Sequence, residues 1–263
     1  MLEQIDRATA LIIGANGGIG LGFVKALMTQ ANFTKIYGTY RERFAPCSRD
    51  RANSAELLTL SRQNPDKLVC FNLDITDEAQ IADAVKQISA EVDTLNLVVY
   101  CVGMLHQGNI QPEKSLKQIV SENLLDYFQI NSIGAVLLAK HLMPLYRNNR
   151  DKSIFACISA KVGSIGDNRL GGWYGYRASK AALNMFIKTI AIEYSRRCPK
   201  TIVVALHPGT TDTRLSKPFQ KNVPPEKLFS VEYTVDRLMA VLANLEMEDS
   251  GEFFSWDGSR LPW

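Results

Sequence analysis

Cysteine is sparse and unpatterned in this chain. The five cysteines, Cys47, Cys70, Cys101, Cys157 and Cys198, are odd in number and never form a CxxC pair, which argues against both a disulfide framework and a thiolate zinc site. Histidine is scarcer still: His106, His141 and His207 lack ligand-like spacing, and no metal is assigned. An excess of one charge is also missing. Lys and Arg number 30 against 27 Asp and Glu, a formal net charge of +3, and the basic residues are scattered apart from small groups such as Arg41, Arg43, Arg49 and Arg51. Nucleic acid is therefore not an expected partner. In the opening stretch MLEQIDRATALIIGANGG the apolar run is short, follows Glu3 and Asp6, and ends in glycines. That suits neither a signal peptide nor a membrane span, so a cytoplasmic protein without a membrane partner is expected. There is no internal repeat and no low-complexity segment.

What is present is a chain of 263 residues, 46% hydrophobic, with enough apolar content for one large core and no composition break to divide it. Short β-rich runs at 9–14, 35–40, 67–74, 95–103, 153–160 and 201–209 and a final GEFFSW alternate with helical patterns. The helices are expected at 18–30, 53–63, 76–91 (capped by Thr76 or Asp77), 121–147, around Tyr176, and at 231–243. The strand runs lack polar alternation, which predicts burial on both faces. The expected fold is thus a single-domain α/β structure over 1–263, with a doubly wound parallel sheet covered by helices. Such a sheet binds its ligand at the carboxyl ends of its strands. The segment 207–230, HPGTTDTRLSKPFQKNVPPEKLFS, is too long for an ordinary connection and makes 210–230 a candidate substrate lid.

Two patterns carry chemistry. Between the first strand and first helix, IIGANGGIGLG supplies Gly14, Gly18 and Gly20, where glycines let the backbone turn tightly and approach a pyrophosphate at a helix N-terminus. The end of the second strand, where an acid would bind the ribose of NAD, carries Tyr40 and Arg41 instead. An arginine can pair with a 2′-phosphate, so NADP is preferred, with Arg41 the main contact and Arg43 a further candidate. In GGWYGYRASKAALN, Tyr176 and Lys180 lie four residues apart, about 40° in azimuth on a helix. They share a face, whereas Tyr174 points elsewhere. An ammonium beside a phenol favours its ionised form, which predicts a lowered pKa for Tyr176.

With the glycine turn at 14–20 and YRASK at 176–180, the sequence resembles the short-chain dehydrogenase/reductase family over nearly its whole length. Within it, KVGSIGDNRLGGWYGYRASKAALN, HPGTTDTRLSKPF and the ending DGSRLPW look like the C-factor and Sniffer-type carbonyl reductase branch. The resemblance implies a Rossmann-type domain, NADP(H) as cofactor and a small carbonyl or alcohol as substrate. It implies cofactor contacts from Asn16 and Ile19 in the turn, Asp74 and Ile75 in NLDIT, Gly103, Tyr176 and Lys180, and Pro208, Gly209, Thr211 and Thr213 in HPGTTDT. By the same likeness, Tyr176 protonates the carbonyl oxygen, Lys180 assists it and holds the nicotinamide ribose, and Asn131 of FQINSIGA supports a relay water. A serine orients the carbonyl. The family is often dimeric or tetrameric, which allows a homodimer or homotetramer.

Three departures qualify the likeness. The family's threonine before the glycine turn is Ile13, its NNAG is YCVG at 100–103, and where a second serine usually follows the first, Ser159 is followed by Ala160. Ser159 is the expected catalytic serine and Ser164 the alternative. The altered YCVG and missing serine leave a non-enzymatic NADP-binding regulator, or a C-factor-like signalling protein, as the competing function. An epimerase or dehydratase of the extended fold is disfavoured by the little chain that follows 209.

Overall fold

The apolar runs become the strands of one sheet. In the computed structural model, which describes residues 5–41, 48–147 and 149–263, these are β1 (Ala8–Ile13), β2 (Phe33–Tyr40), β3 (Leu68–Asn72), β4 (Leu97–Tyr100), β5 (Ser153–Ile158), β6 (Thr201–His207) and β9 (Phe253–Ser255). They pair in parallel in the order β3-β2-β1-β4-β5-β6-β9. The helices between them are α1 (Gly18–Thr29), α2 (Ser48–Gln63), α3 (Glu78–Glu91), α4 (Ser121–Phe128), α5 (Gly134–Arg147), α6 (Tyr174–Arg197) and α7 (Val231–Asn244).

Why the strands lack polar alternation is visible in β1, buried at every position. Leu11 and Ile13 enter a core with Ile81 of α3, Leu138 of α5 and Leu183 of α6. Ala10 and Ile12 enter the opposite core with Val24 and Leu27 of α1 and Leu238 of α7. Side chains of a strand alternate between faces, so a sheet covered on both sides needs apolar residues at both parities. Strand order reverses at β1, whose neighbours are β2 and β4, and the crevice at the carboxyl ends there is where a ligand is received.

The expected helical region over 121–147 is continuous but not uniform. α4 passes into a π-helical turn, Gln129–Ile133, before α5 begins, and the Tyr100 hydroxyl donates 2.9 Å to the Ile130 carbonyl there. Of the two proposed caps of α3, Asp77 is the one used: its Oδ1 accepts from Ala79 N and Gln80 N. Segment 210–230 holds two short parallel strands, β7 (Thr210–Thr211) and β8 (Leu228–Phe229), joined through 3-10 turns. Among the described residues, no helix is long and apolar enough to cross a membrane.

Candidate active site

β1 ends at Ile13 and the chain turns at Gly14, which has φ +77°, to enter α1 at Gly18. A side chain on Gly20 would overlap the Gly14 carbonyl oxygen, so the turn closes only without one. The hydroxyl that residue 13 does not supply comes from β2. Gly14 N donates 3.1 Å to Thr39 Oγ1 and Ala15 N donates 2.7 Å to the Thr39 carbonyl. α1 has no side-chain cap and no acid in its first turn. Its free N–H groups and dipole therefore face outward for an anion.

This turn forms one end of a cavity of about 1010 Å³. Gly14, Asn16, Gly18, Ile19, Arg41, Asp74 and Ile75 line it, while Gly20 stands behind the wall. Arg41 Nη1 lies 3.1 Å from Asp74 Oδ2, and Asp74 Oδ1 accepts from Thr76 N and Oγ1. Burial raises the Asp74 carboxyl, but the bonds from Thr76 and the charge of Arg41 outweigh it and hold it below its ordinary value. Asp74 is thus an anion that fixes Arg41 on the wall. Arg51 and Ser54 of α2 line the same end, and Ser54 Oγ accepts from Asn16 Nδ2 at 2.9 Å. The sequence offered Arg51 only as part of a small basic group with Arg41, Arg43 and Arg49, and gave no sign of Ser54 or Thr39. Arg43 lies outside the described residues. A pyrophosphate-bearing dinucleotide fits this end, where the backbone comes close at the glycine turn, the helix-terminal N–H groups face outward and Arg41 is held on the wall.

At the other end stand Tyr176 and Lys180, both buried and both on the wall. Tyr174, 37% exposed, lies off it. Lys180 Nζ donates 3.0 Å to the Ile158 carbonyl. Burial pulls its pKa from 10.5 down to about 8, against a smaller opposing influence of Cys157 and Cys101. The expected lowering at Tyr176 does not occur. Burial, with a lesser contribution from Tyr127, pushes that phenol above its ordinary value. The phenol therefore holds its proton at any working pH, the state a donor needs.

Ser159, the expected catalytic serine, lines the cavity. Ser159 Oγ donates 2.6 Å to Asn184 Oδ1, while Asn184 Nδ2 faces the Gly163 carbonyl at 3.5 Å. The Ser159 hydroxyl is thus turned toward Asn184. The next residue on the strand end, Ala160, packs in the cluster of Tyr176. Ser164 accepts from Asp167 N and does not line the cavity. Asn131, fully buried in the π-turn, also stands behind the wall. Its Oδ1 accepts from Met104 N at 2.6 Å, and its Nδ2 donates to the Met104 carbonyl at 2.9 Å and to Ser179 Oγ at 3.0 Å. The amide pins the segment after β4, where the family's NNAG is absent, to α6. Gly103 lies between them: a Cβ there would fall 3.5 Å from Lys180 Nζ.

Pro208, Gly209, Thr211 and Thr213 line the middle of the cavity. Segment 210–230 folds back onto the glycine turn, since a Cβ on Gly18 would fall 2.7 Å from Thr213 Cγ2. It also brings Phe219 5.1 Å from the ring of Trp173, which in turn lies 6.2 Å from that of Tyr176. His106 sits 5.9 Å from Phe219. With Met104, Leu105, Leu215 and Val162, the rings of Trp173 and Phe219 make the wall beside Tyr176 apolar.

Comparison with known proteins agrees with this geometry. A family profile described as short chain dehydrogenase matches residues 8–224. The NADPH-bound carbonyl reductase from chicken fatty liver is 28% identical, with a TM-score of 0.84 over 98% of this chain and 100% of that one. The carbonyl reductase Sniffer of D. melanogaster is 25% identical, with a TM-score of 0.83 over the same shares. C-signal of Myxococcus xanthus is 31% identical over 136 residues, which is 52% of this chain and 76% of that protein.

Proposed function

We propose that this chain, which belongs to the short-chain dehydrogenase family, is an NADPH-dependent reductase that turns the carbonyl of a small apolar compound into an alcohol. The observation that carries the reading is a single cavity with the glycine turn and Arg41 at one end and Tyr176, Lys180 and an aromatic wall at the other. NADPH-bound carbonyl reductase among the similar structures supports the same choice.

The cofactor is assigned to the wall formed by Gly14, Asn16, Gly18 and Ile19, by Arg41, Asp74 and Ile75, and by Gly103, Pro208, Gly209, Thr211 and Thr213, with Gly20 supporting the turn from behind. Bound there, it supplies hydride to the carbonyl carbon. Tyr176 gives its proton to the carbonyl oxygen, and because burial keeps that phenol protonated the donor is ready at neutral pH. Lys180 places a cation beside the same end of the cavity, where charge develops as the proton leaves. Asn131 acts by position: it fixes Met104 and Ser179, and through them the segment at Gly103 and the helix of Tyr176. Ser159 receives no donor role, so Ser159→Ala is expected to reduce turnover far less than loss of the Tyr176 hydroxyl. Segment 210–230, through Leu215, Phe219 and Val223, closes the substrate end and excludes water from it.

Oxidation of NADPH, followed by absorbance against a panel of aldehydes, ketones and quinones, tests the reading. Turnover of apolar carbonyls is expected. Tight NADPH binding with no turnover on any of them would overturn it in favour of the non-catalytic regulator. The cofactor choice has its own test. A charge-assisted hydrogen bond is worth about 1.5–3 kcal/mol, so Arg41→Ala is expected to raise KM for NADPH about 10- to 100-fold. KM for NADH should barely move, because NADH lacks the 2′-phosphate. Equal effects on both would remove Arg41 from phosphate recognition.

The rate should also depend on pH in one direction. Lys180 is a cation below about 8 and neutral above it. Cys101 and Cys157, its neighbours, are pushed up by burial and stay neutral thiols. His207, on the same wall, is brought by burial, and then by Lys161, down to about 4, so it does not titrate near neutrality. Reduction is expected to hold level from pH 6 to 7 and to fall as pH rises through about 8. A pH–rate profile at saturating NADPH checks this, and a rate that climbs through pH 8 contradicts it.

A further inference from the structure

Glu113 lies outside the cavity wall and in none of the sequence motifs, yet it is a carboxylate only 3% exposed. It belongs to the long connection after β4, and it meets the first turn of α6, the helix of Tyr176 and Lys180. Its Oε2 accepts from Gly175 N at 3.1 Å, and its main-chain carbonyl accepts from Trp173 N. α6 needs such help. It has no side-chain cap of its own and no acid in its first turn, and its N-cap residue, Trp173, sits in the left-handed region at φ +52°. A non-glycine residue there is strained and persists only where its surroundings hold it.

The packing around the carboxylate admits nothing larger. A Cβ on Gly175 would collide with the Tyr127 ring and fall 3.0 Å from Glu113 Oε1. Tyr127, fully buried, is pinned through its hydroxyl to the Leu105 carbonyl at 2.7 Å. Its ring meets that of Tyr176 edge to face at 6.5 Å. Among the described residues, Glu113 Oε1 has no hydrogen-bond partner. Burying a carboxylate with one oxygen unpaired is unfavourable, and such a group calls for an explanation in what its other oxygen does.

We infer that Glu113 is a positioning residue: its carboxylate is the N-terminal cap of α6, supplied from another segment, and it sets the first turn of that helix so that the Tyr176 ring stands against Tyr127 and Trp173 in the orientation for proton transfer. Helix-terminal N–H groups accept such a partner from any segment that reaches them. An anion at that end also opposes the positive pole of the helix dipole. The catalytic consequence rests on the reductase reading; the cap does not.

The test compares Glu113→Ala, Glu113→Asp and Glu113→Gln. Gln keeps an acceptor at the same reach; Asp keeps the charge but withdraws it by one methylene. Removing the cap is expected to lower kcat about tenfold or more in the Ala and Asp variants, in keeping with the sensitivity of catalysis to misplacement. The Kd for NADPH, read by fluorescence, should stay within about twofold. Glu113→Gln should recover most of kcat. Should the Ala variant fail to fold, the Asp and Gln variants carry the comparison. Hydrogen exchange at the Gly175 amide reads the cap without any turnover: it should be slow in the wild type and the Gln variant and fast in the other two. Wild-type kcat in the Asp variant, or equal losses in Asp and Gln, would overturn the positioning role. A wild-type chain that reduces no carbonyl overturns the reductase reading and the catalytic half of this inference, and the exchange rates then decide the cap alone. Unchanged exchange at Gly175 across all variants overturns the cap itself.

Discussion

Tyr176→Phe is expected to lower kcat for carbonyl reduction about 10²- to 10⁴-fold, the range general acid catalysis contributes, while NADPH binding stays near wild type. The change isolates one atom. Tyr176 is 6% exposed, and its ring contacts with Trp173 at 6.2 Å and Tyr127 at 6.5 Å are available to phenylalanine unaltered. Loss of turnover would then report the proton and not the packing. Ser159, whose hydroxyl is turned toward Asn184, is not assigned that proton. Tyr174→Phe is the matched control: that residue lies off the cavity and its variant should turn over at nearly the wild-type rate. Turnover of Tyr176→Phe within about tenfold of wild type would falsify the assignment of the proton donor.

How far the sequence alone reached depends on which residues interact with near neighbours in the chain. Helical spacing put Tyr176 and Lys180 on one face, and both are on the cavity wall; the same spacing turned Tyr174 away. Parity along the apolar runs foretold a sheet covered on both faces, because Leu11 and Ile12 need different cores. The long-range partners were not legible. Thr39, 25 residues from Gly14, fastens the glycine turn; nothing in β2 distinguishes that threonine from a surface one. Sequence shows that Ser159 stands at a strand end, but not that its hydroxyl donates to Asn184, 25 residues on. The lowered pKa expected for Tyr176 failed for a related reason. A neighbouring charge was countable from spacing, but burial, the larger influence, is a property of the assembled core. The π-turn at 129–133 was equally hidden, since Asn131 within it bonds to Met104 and Ser179, both far away in the chain.

Lys180→Met is expected to abolish nearly all turnover and yet to make the folded chain more stable. Lys180 is 2% exposed, and burial brings its pKa from 10.5 to about 8. A group whose charged form is disfavoured by folding destabilises the native state wherever it is forced to carry that charge. Here the penalty is fully present below pH 8 and fades as pH rises from 8 toward 10.5. At neutral pH it amounts to about 3 kcal/mol. Methionine fills a similar volume with no charge, which removes the penalty. The Ile158 carbonyl loses its 3.0 Å bond from Nζ, and an unpaired buried acceptor returns about 1–3 kcal/mol of that gain. A net stabilisation of up to about 2 kcal/mol corresponds to a rise in Tm of up to roughly 4 °C for a chain of this size. The gain should shrink above pH 8 as the wild-type amine loses its proton, so Tm measured for both proteins at pH 7 and at pH 10 separates this cause from better packing. A lysine retained for structure would show the reverse, with stability lost on replacement at every pH. Stability gained on replacement at neutral pH and not at pH 10 is instead what a lysine retained for the proposed chemistry on the wall with Tyr176 would show.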